Sequence, residues 1–224
     1  MAMAGDDNAR AVRTRAVALR CPQCGRELSG INGDVLFGCQ ECAMAYEVPE
    51  TGRLRAFPLR AAMLDDAAAH NMVWLPFWSY TASFSIEWPP APGRRDSQVV
   101  LPRIDRVYVT AFNFRMRQYF GDPGLNLTRN QPDIATGTGH GLTGAAVREK
   151  SAEIIAENQI LSTVDSRRDI TGADYEIALS DASILCLPFL YEKRKLIDLV
   201  VDIAYTANAF VDLERILENS GGHK

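Results

Sequence analysis

Four cysteines are the residues in this sequence best suited to chemistry. Cys21-Pro22-Gln23-Cys24 is answered by Cys39-Gln40-Glu41-Cys42, with fifteen residue steps from Cys24 to Cys39. In each Cys-x-x-Cys pair one tight turn aims two sulfurs at a single ion, and two pairs complete a tetrahedron of thiolates. Zinc takes this ligand set, and iron in a rubredoxin-like site takes it too. With all four positions supplied by protein, no coordination site is left for water or substrate. Cys21, Cys24, Cys39 and Cys42 therefore predict a structural Zn2+ rather than a catalytic one. By analogy with zinc-finger peptides, such an ion stabilises its module by about 10 kcal/mol. The fifth cysteine, Cys186, stands alone between Leu185 and Leu187 and reads as a small buried hydrophobe.

A second stretch with chemical potential is glycine-rich. Gly139-His140-Gly141-Leu142-Thr143-Gly144 matches the Gly-x-Gly-x-x-Gly dinucleotide pattern, and Asp165 lies at a plausible sequence distance for ribose. An enzyme binding a nucleotide or phosphate at the 137–144 loop is one reading. The setting argues for another: Ile134-Ala135 makes no convincing strand before the loop, and the flanking chain does not alternate β and α. The loop then simply precedes a helix whose N-terminus could attract an anion. His70, His140 and His223 are scattered. No nucleophile–base pair, Gly-x-Ser-x-Gly, phosphate loop or His-Glu-x-x-His occurs, so no catalytic or cofactor-binding residue is assigned. Residues 10–60 carry eight arginines against five acids. That edge could touch phosphates, which makes nucleic-acid binding through the cysteine module an alternative function, or it could be a solvated surface.

The residues Cys21, Cys24, Gly25, Cys39 and Cys42, with the Cys-Pro-x-Cys-Gly form of the first knuckle, resemble the zinc-ribbon family over about residues 17–57. The resemblance implies a small β-ribbon (a zinc-finger-like module) pinned at one end by metal, without fixing an activity. The second knuckle departs from the pattern, because Ala43 stands where a glycine would match Gly25.

Several elements must position the knuckles. Val17–Arg20, Val35–Phe37, Ala43–Val48 and Arg53–Phe57 read as strands, with turns at Gly30–Asp34 and Pro49–Gly52. Alanine-rich 61–71 reads as a short helix or connector at a domain boundary. Beyond it, Met72–Ile86 alternates as a strand, with Pro76 marking a bulge, a strand start or an edge, and Arg106–Phe114 is its partner. Residues 115–141 read as irregular, with a turn at Gly121-Asp122-Pro123-Gly124. Thr143 to about Val164 reads as a helix, with Thr143 as N-cap and Val147, Ile154, Ile155 and Leu161 on its inner face. Leu185–Tyr191 and Leu196–Ala204 are further strands, and Asn208–Leu217 a last helix. Leu75-Pro76-Phe77 returns as Leu187-Pro188-Phe189. This suggests a strand–loop–strand unit used twice (72–114 and 183–204), or a chance likeness.

The expected plan is an α+β protein: a flexible tail at 1–15, a four-cysteine zinc β-ribbon at 16–60, and a mixed, mostly antiparallel sheet-and-helix domain at 61–220. Composition is that of a globular protein, 47% hydrophobic and 23% charged. A net charge of −4 excludes a global pull towards nucleic acid or anionic membrane. No apolar run reaches the roughly 20 residues of a membrane span, and no secretory leader is recognisable. Cysteines in ligand spacing rather than a disulfide framework suit a reducing, cytoplasmic setting. The favoured function is non-catalytic: a structural or adaptor protein whose ribbon and aromatic-rich sheet (Trp74, Phe77, Trp78, Phe84, Trp88) serve protein–protein interaction in a larger assembly.

Overall fold

The computed structural model describes residues 19–49, 54–63, 72–89, 101–115, 121–138, 141–166 and 169–219. It is an α+β fold built on one mixed sheet of nine strands. The strands are β1 (Leu36–Cys39), β2 (Met44–Glu47), β3 (Arg55–Ala62), β4 (Met72–Glu87), β5 (Arg106–Thr110), β6 (Thr136–Thr138), β7 (Asp174–Glu192), β8 (Lys195–Asp198) and β9 (Ile203–Thr206). Among the described residues three α-helices accompany them: α1 (Pro123–Asn130), α2 (Glu149–Asp165) and α3 (Leu213–Asn219). The main order is β1-β2-β3-β7-β4-β5, with β6 on β3 and β9 on β8, which pairs with β7. Among the described strands only β3 and β7 run parallel.

β4 and β7 form the spine, and their alternation divides the core in two. Trp78, Tyr80, Ile184 and Cys186 face α2, where Ala152, Ala156 and Ile160 meet them. Leu75, Phe77, Leu187 and Phe189 face the other way, towards Tyr205, Phe210, Leu213 and Leu217. Trp78, Phe77 and Phe189 are fully buried, each contributing about 2–3 kcal/mol of apolar transfer. Phe57 meets Trp78 edge-on at 4.9 Å, and Phe77 stacks over Phe189 at 6.1 Å. The sheet aromatics around Phe77 and Trp78 are thus core.

The two Leu-Pro-Phe segments lie side by side, with Leu75 opposite Leu187. Pro76 and Pro188 both stand inside long strands, so Pro76 does not start its strand. Each carbonyl accepts from an outer neighbour, Pro76 from Ala111 N–H at 3.0 Å and Pro188 from Leu199 N–H at 3.1 Å. A strand residue presents its N–H and C=O to the same side. The N–H that each proline lacks would therefore point one step beyond the outer ladders, which end at Phe77–Thr110 and Phe189–Asp198. No ladder bond is lost.

Several expectations are corrected. Ala61 and Ala62 extend β3 instead of starting a helix, because Ala61 is paired with Gly137 on one side and Cys186 on the other. β3 therefore crosses the expected boundary at 60/61, joining β2 through Arg55–Pro58 and β7 through Leu59–Ala61. Residues 64–71 lie outside the described residues, as does the tail at 1–15. Gly121-Asp122-Pro123-Gly124 is no free turn but the start of α1. The Asp122 carboxylate caps Gly124 N–H and Leu125 N–H, and Pro123 takes a first-turn position. Gly124 is needed there, since a Cβ would lie 2.4 Å from the Tyr108 carbonyl.

The helix expected from Thr143 begins at Glu149, and no side chain caps it. Residues 141–148 are instead an irregular bridge with partners far away in sequence. Leu142 N–H donates to Ser29 Oγ, Gly144 N–H to Asp34 Oδ2, and Ala146 and Val147 N–H to the Ala111 carbonyl. The inner stripe of α2 is Ala152, Ala156, Ile160 and Val164, while Ile154 is exposed. Alanines let the helix approach the broad rings of Trp78 and Tyr80, which larger side chains would hold off.

Candidate metal centre

The first knuckle turns at Cys21–Gly25, where Gly25 N–H donates to the Cys21 carbonyl at 2.9 Å. The second connects β1 to β2, with Ala43 N–H on the Gln40 carbonyl at 3.3 Å. Both close with a left-handed residue, Gly25 at φ 74° and Ala43 at φ 49°. Glycine adopts that conformation freely, while alanine pays about 1–2 kcal/mol. The sequence departure at Ala43 is therefore one of residue type and not of backbone path.

These turns bring the ligand atoms of Cys21, Cys24, Cys39 and Cys42 within 4.8 Å of one another. Cys21 Sγ is 3.8 Å from Cys42 Sγ, and Cys24 Sγ is 3.6 Å from Cys39 Sγ. Such separations are far beyond a disulfide's, near 2 Å. They match the edge of a tetrahedron with metal–sulfur bonds of about 2.3 Å, which is about 3.8 Å. Cys21 and Cys39 are buried and Cys24 is exposed. The cluster could hold a metal ion, and the donor set fits one with an affinity for thiolate.

The electrostatics of the cluster agree. Burial tends to raise the Cys21 thiol, but Tyr46 and the backbone amides of Cys24 and Gln23 outweigh it and hold the thiol at about 6. Its neighbour Cys42 is pushed up to about 12, first by its hydrogen bond with Cys24 and then by burial. One thiolate thus forms readily and opposes the next, so four together call for a cation between them. The Tyr46 hydroxyl, 3.4 Å from Cys21 Sγ, is an outer-shell partner not singled out from sequence. Cys42, Met44 and Tyr46 recur at the two-residue period of β2, and this was the available signal.

The tip has little core of its own. Its buried residues are Cys21, Leu28, Cys39 and Tyr46. The root of the same ribbon is firmly set, with Leu36, Ala45, Phe57 and Leu59 joining the main core. A charged network ties it to α2. Arg55 pairs with Glu149 and reaches Glu47 at 3.9 Å. Arg148 lies 3.5 Å from Glu47 and donates to the Val48 carbonyl at 2.7 Å. Burial raises the Glu149 carboxyl, while Arg55 opposes that rise. Asp34, which accepts from Ile31 and Gly144, is pushed up to about 6 by burial.

The other candidates fall elsewhere. Gly137–Thr138 belongs to β6, residues 139–140 lie outside the described residues, and no helix opens at Gly144. Asp165 ends α2, whose 17 residues place it about 24 Å along the axis from the helix start. It accepts from Ile170 N–H instead. His70, His140 and His223 are outside the described residues, as are Arg10, Arg13, Arg15 and Arg53. Of the ribbon arginines that are described, Arg26 pairs with Glu41 and Arg55 with Glu149. Cys186 is fully enclosed, and burial pushes its thiol up to about 12.

No known protein family matches the chain, and neither does any curated protein or solved structure. Among the described residues no helix is long and apolar enough to cross a membrane.

Proposed function

We propose that this chain is a non-catalytic structural or adaptor protein, in which a structural zinc ion held by Cys21, Cys24, Cys39 and Cys42 fixes a zinc-ribbon tip for protein–protein interaction within a larger assembly. The observation that carries this reading is the closed sulfur cluster at the end of a hairpin rooted in the main sheet. A four-cysteine site leaves a metal nothing to do but hold the chain, and the tip is the part most in need of holding. Its rigidity serves recognition, because a fixed surface loses less entropy on binding. The sheet aromatics supply the rigid root. Four thiolate ligands suit a reducing cytoplasm.

Two measurements test this. Metal analysis of freshly isolated protein should give about one zinc per chain; iron or substoichiometric metal would overturn the assignment. Cross-linking in the native cell through a photoreactive residue at Leu19, which is exposed beside the first knuckle, should capture a discrete partner. The partner should be lost with Cys39→Ser. Capture of no partner, or one indifferent to metal loss, would contradict the adaptor role.

A further inference from the structure

The face of the sheet turned away from α2 changes character at one register. Along β4 it presents Leu75 and Phe77, then Ser79 and Thr81; along β7 it presents Leu187 and Leu185, then Ser183 and Asp181. Ser79 stands directly opposite Ser183, and the register slips between Ser79 and Thr81. Asp181 answers the slip with a left-handed backbone at φ 53°. Bulges of this kind re-aim side chains and concentrate beside binding sites. Here small hydroxyl residues replace bulky apolar ones on both strands, and a cleft of about 520 Å³ stands over them.

The walls of this cleft are charged. Arg60 enters from β3 and Arg106 from β5. β7 and β4 lie between them, and the registers set Arg60 level with Thr110 but Arg106 four residues away along β5, so their backbones are about 20 Å apart and the two side chains line opposite ends of one cleft. Arg26, Arg55, Arg103, Arg148 and Arg215 are ion-paired, whereas among the described residues no carboxylate lies within 4 Å of Arg60 or Arg106. Asp133 and Asp181 add acceptors, and among the described residues Tyr108 is the one aromatic ring in the lining.

We infer that this cleft binds a small hydroxylated organic anion, of the sugar-phosphate or sugar-acid kind. A guanidinium fork at one end of the cleft recognises a phosphate or carboxylate group, and the one at the other end donates to the ligand's hydroxyl oxygens. Serine and threonine hydroxyls with two carboxylates take the ligand's hydroxyls, and a single ring gives a purine no stacking slot. The volume lies within the range of small-molecule sites. This site is separate from the cysteine cluster and does not depend on its metal.

Isothermal titration with ribose 5-phosphate, D-gluconate, ribose and inorganic phosphate tests the assignment and separates the two anion sources. At least one charged polyol binds saturably, ribose does not, and inorganic phosphate binds more weakly than the charged polyol. Arg60→Gln and Arg106→Gln each weaken binding at least about tenfold, while Arg129→Gln, outside the cleft, leaves it unchanged. All three variants retain the parent melting temperature, since the replaced side chains are exposed. Failure of both charged polyols to bind at about 10 mM, binding that survives both cleft substitutions, or inorganic phosphate binding as tightly as the polyol would overturn the inference.

Discussion

The tip and the spine of this sheet are held by different means. At the tip, two buried cysteines, Leu28 and Tyr46 form a small interior with Phe37, Cys42 and Met44 half-buried against it, and four sulfurs converge on one point. Along β4 and β7, fully buried Leu75, Phe77, Trp78, Leu187 and Phe189 pack against helices on both faces. A small module cannot remove enough apolar surface from water to offset its chain entropy, and a metal held by the four sulfurs would make up the difference. A broad two-faced sheet needs none. β3 belongs to both regions, and the Arg55–Glu149 pair reinforces the joint. Loss of metal should therefore melt the tip and stop at the root.

The largest expected effect follows from removing one ligand. Cys39→Ser should abolish tight zinc binding, forfeiting on the order of 10 kcal/mol at that site, yet preserve the cooperative unfolding of the sheet; loss of both together would erase the contrast. Phe77→Ala strikes the other region. It should cost about 3–5 kcal/mol in urea unfolding, with zinc content unchanged, and zinc loss in a folded variant would break the proposed independence.

Acid should move the two regions in opposite directions. Burial holds Asp198 at about 6, and among the described residues its second carboxylate oxygen has no hydrogen-bond partner. The folded state thus binds this proton more tightly than the unfolded chain. The stabilisation is complete below the unfolded value and is lost as pH rises through about 6. This group should lower sheet stability by about 1–1.5 kcal/mol between pH 5 and pH 8, and Asp198→Asn should reduce that slope. The tip should instead lose metal on acidification, because protons compete for thiolates. Parallel pH profiles for metal retention and sheet unfolding would refute this. The smallest effect is Ala43→Gly, which relieves a left-handed alanine and should slow zinc transfer to a chelator, with a gain of about 0.5–1 kcal/mol. Faster release would show that Ala43 is not strained.

The same contrast explains what could be read from the sequence. The cysteine cluster was legible because its geometry is local: each knuckle spans four residues and only one separation joins them. β4 was legible through its two-residue alternation, whereas of β7 only Leu185–Tyr191 was read, from its apolar run, and the mostly exposed first half of that strand was not. What was missed depended on distant partners. Gly121–Gly124 reads as a turn until α1 packs on Tyr108, when the same Asp-Pro pair serves as cap and first turn. Residues 143–148 read as helix until Asp34, Ala111 and Trp78 are seen to take their backbone groups. The cleft was illegible too, since Arg60, Ser79, Arg106 and Ser183 meet only through strand order.

Hydrogen exchange measured by mass spectrometry, before and after zinc removal by a chelator, tests the division most directly. Amides of residues 19–29 and 38–44 should lose protection while those of the root at Leu36 and Ala45 and of β4 and β7 keep theirs. Unchanged protection at the tip, or its collapse throughout the sheet, would contradict a metal clamp confined to the ribbon.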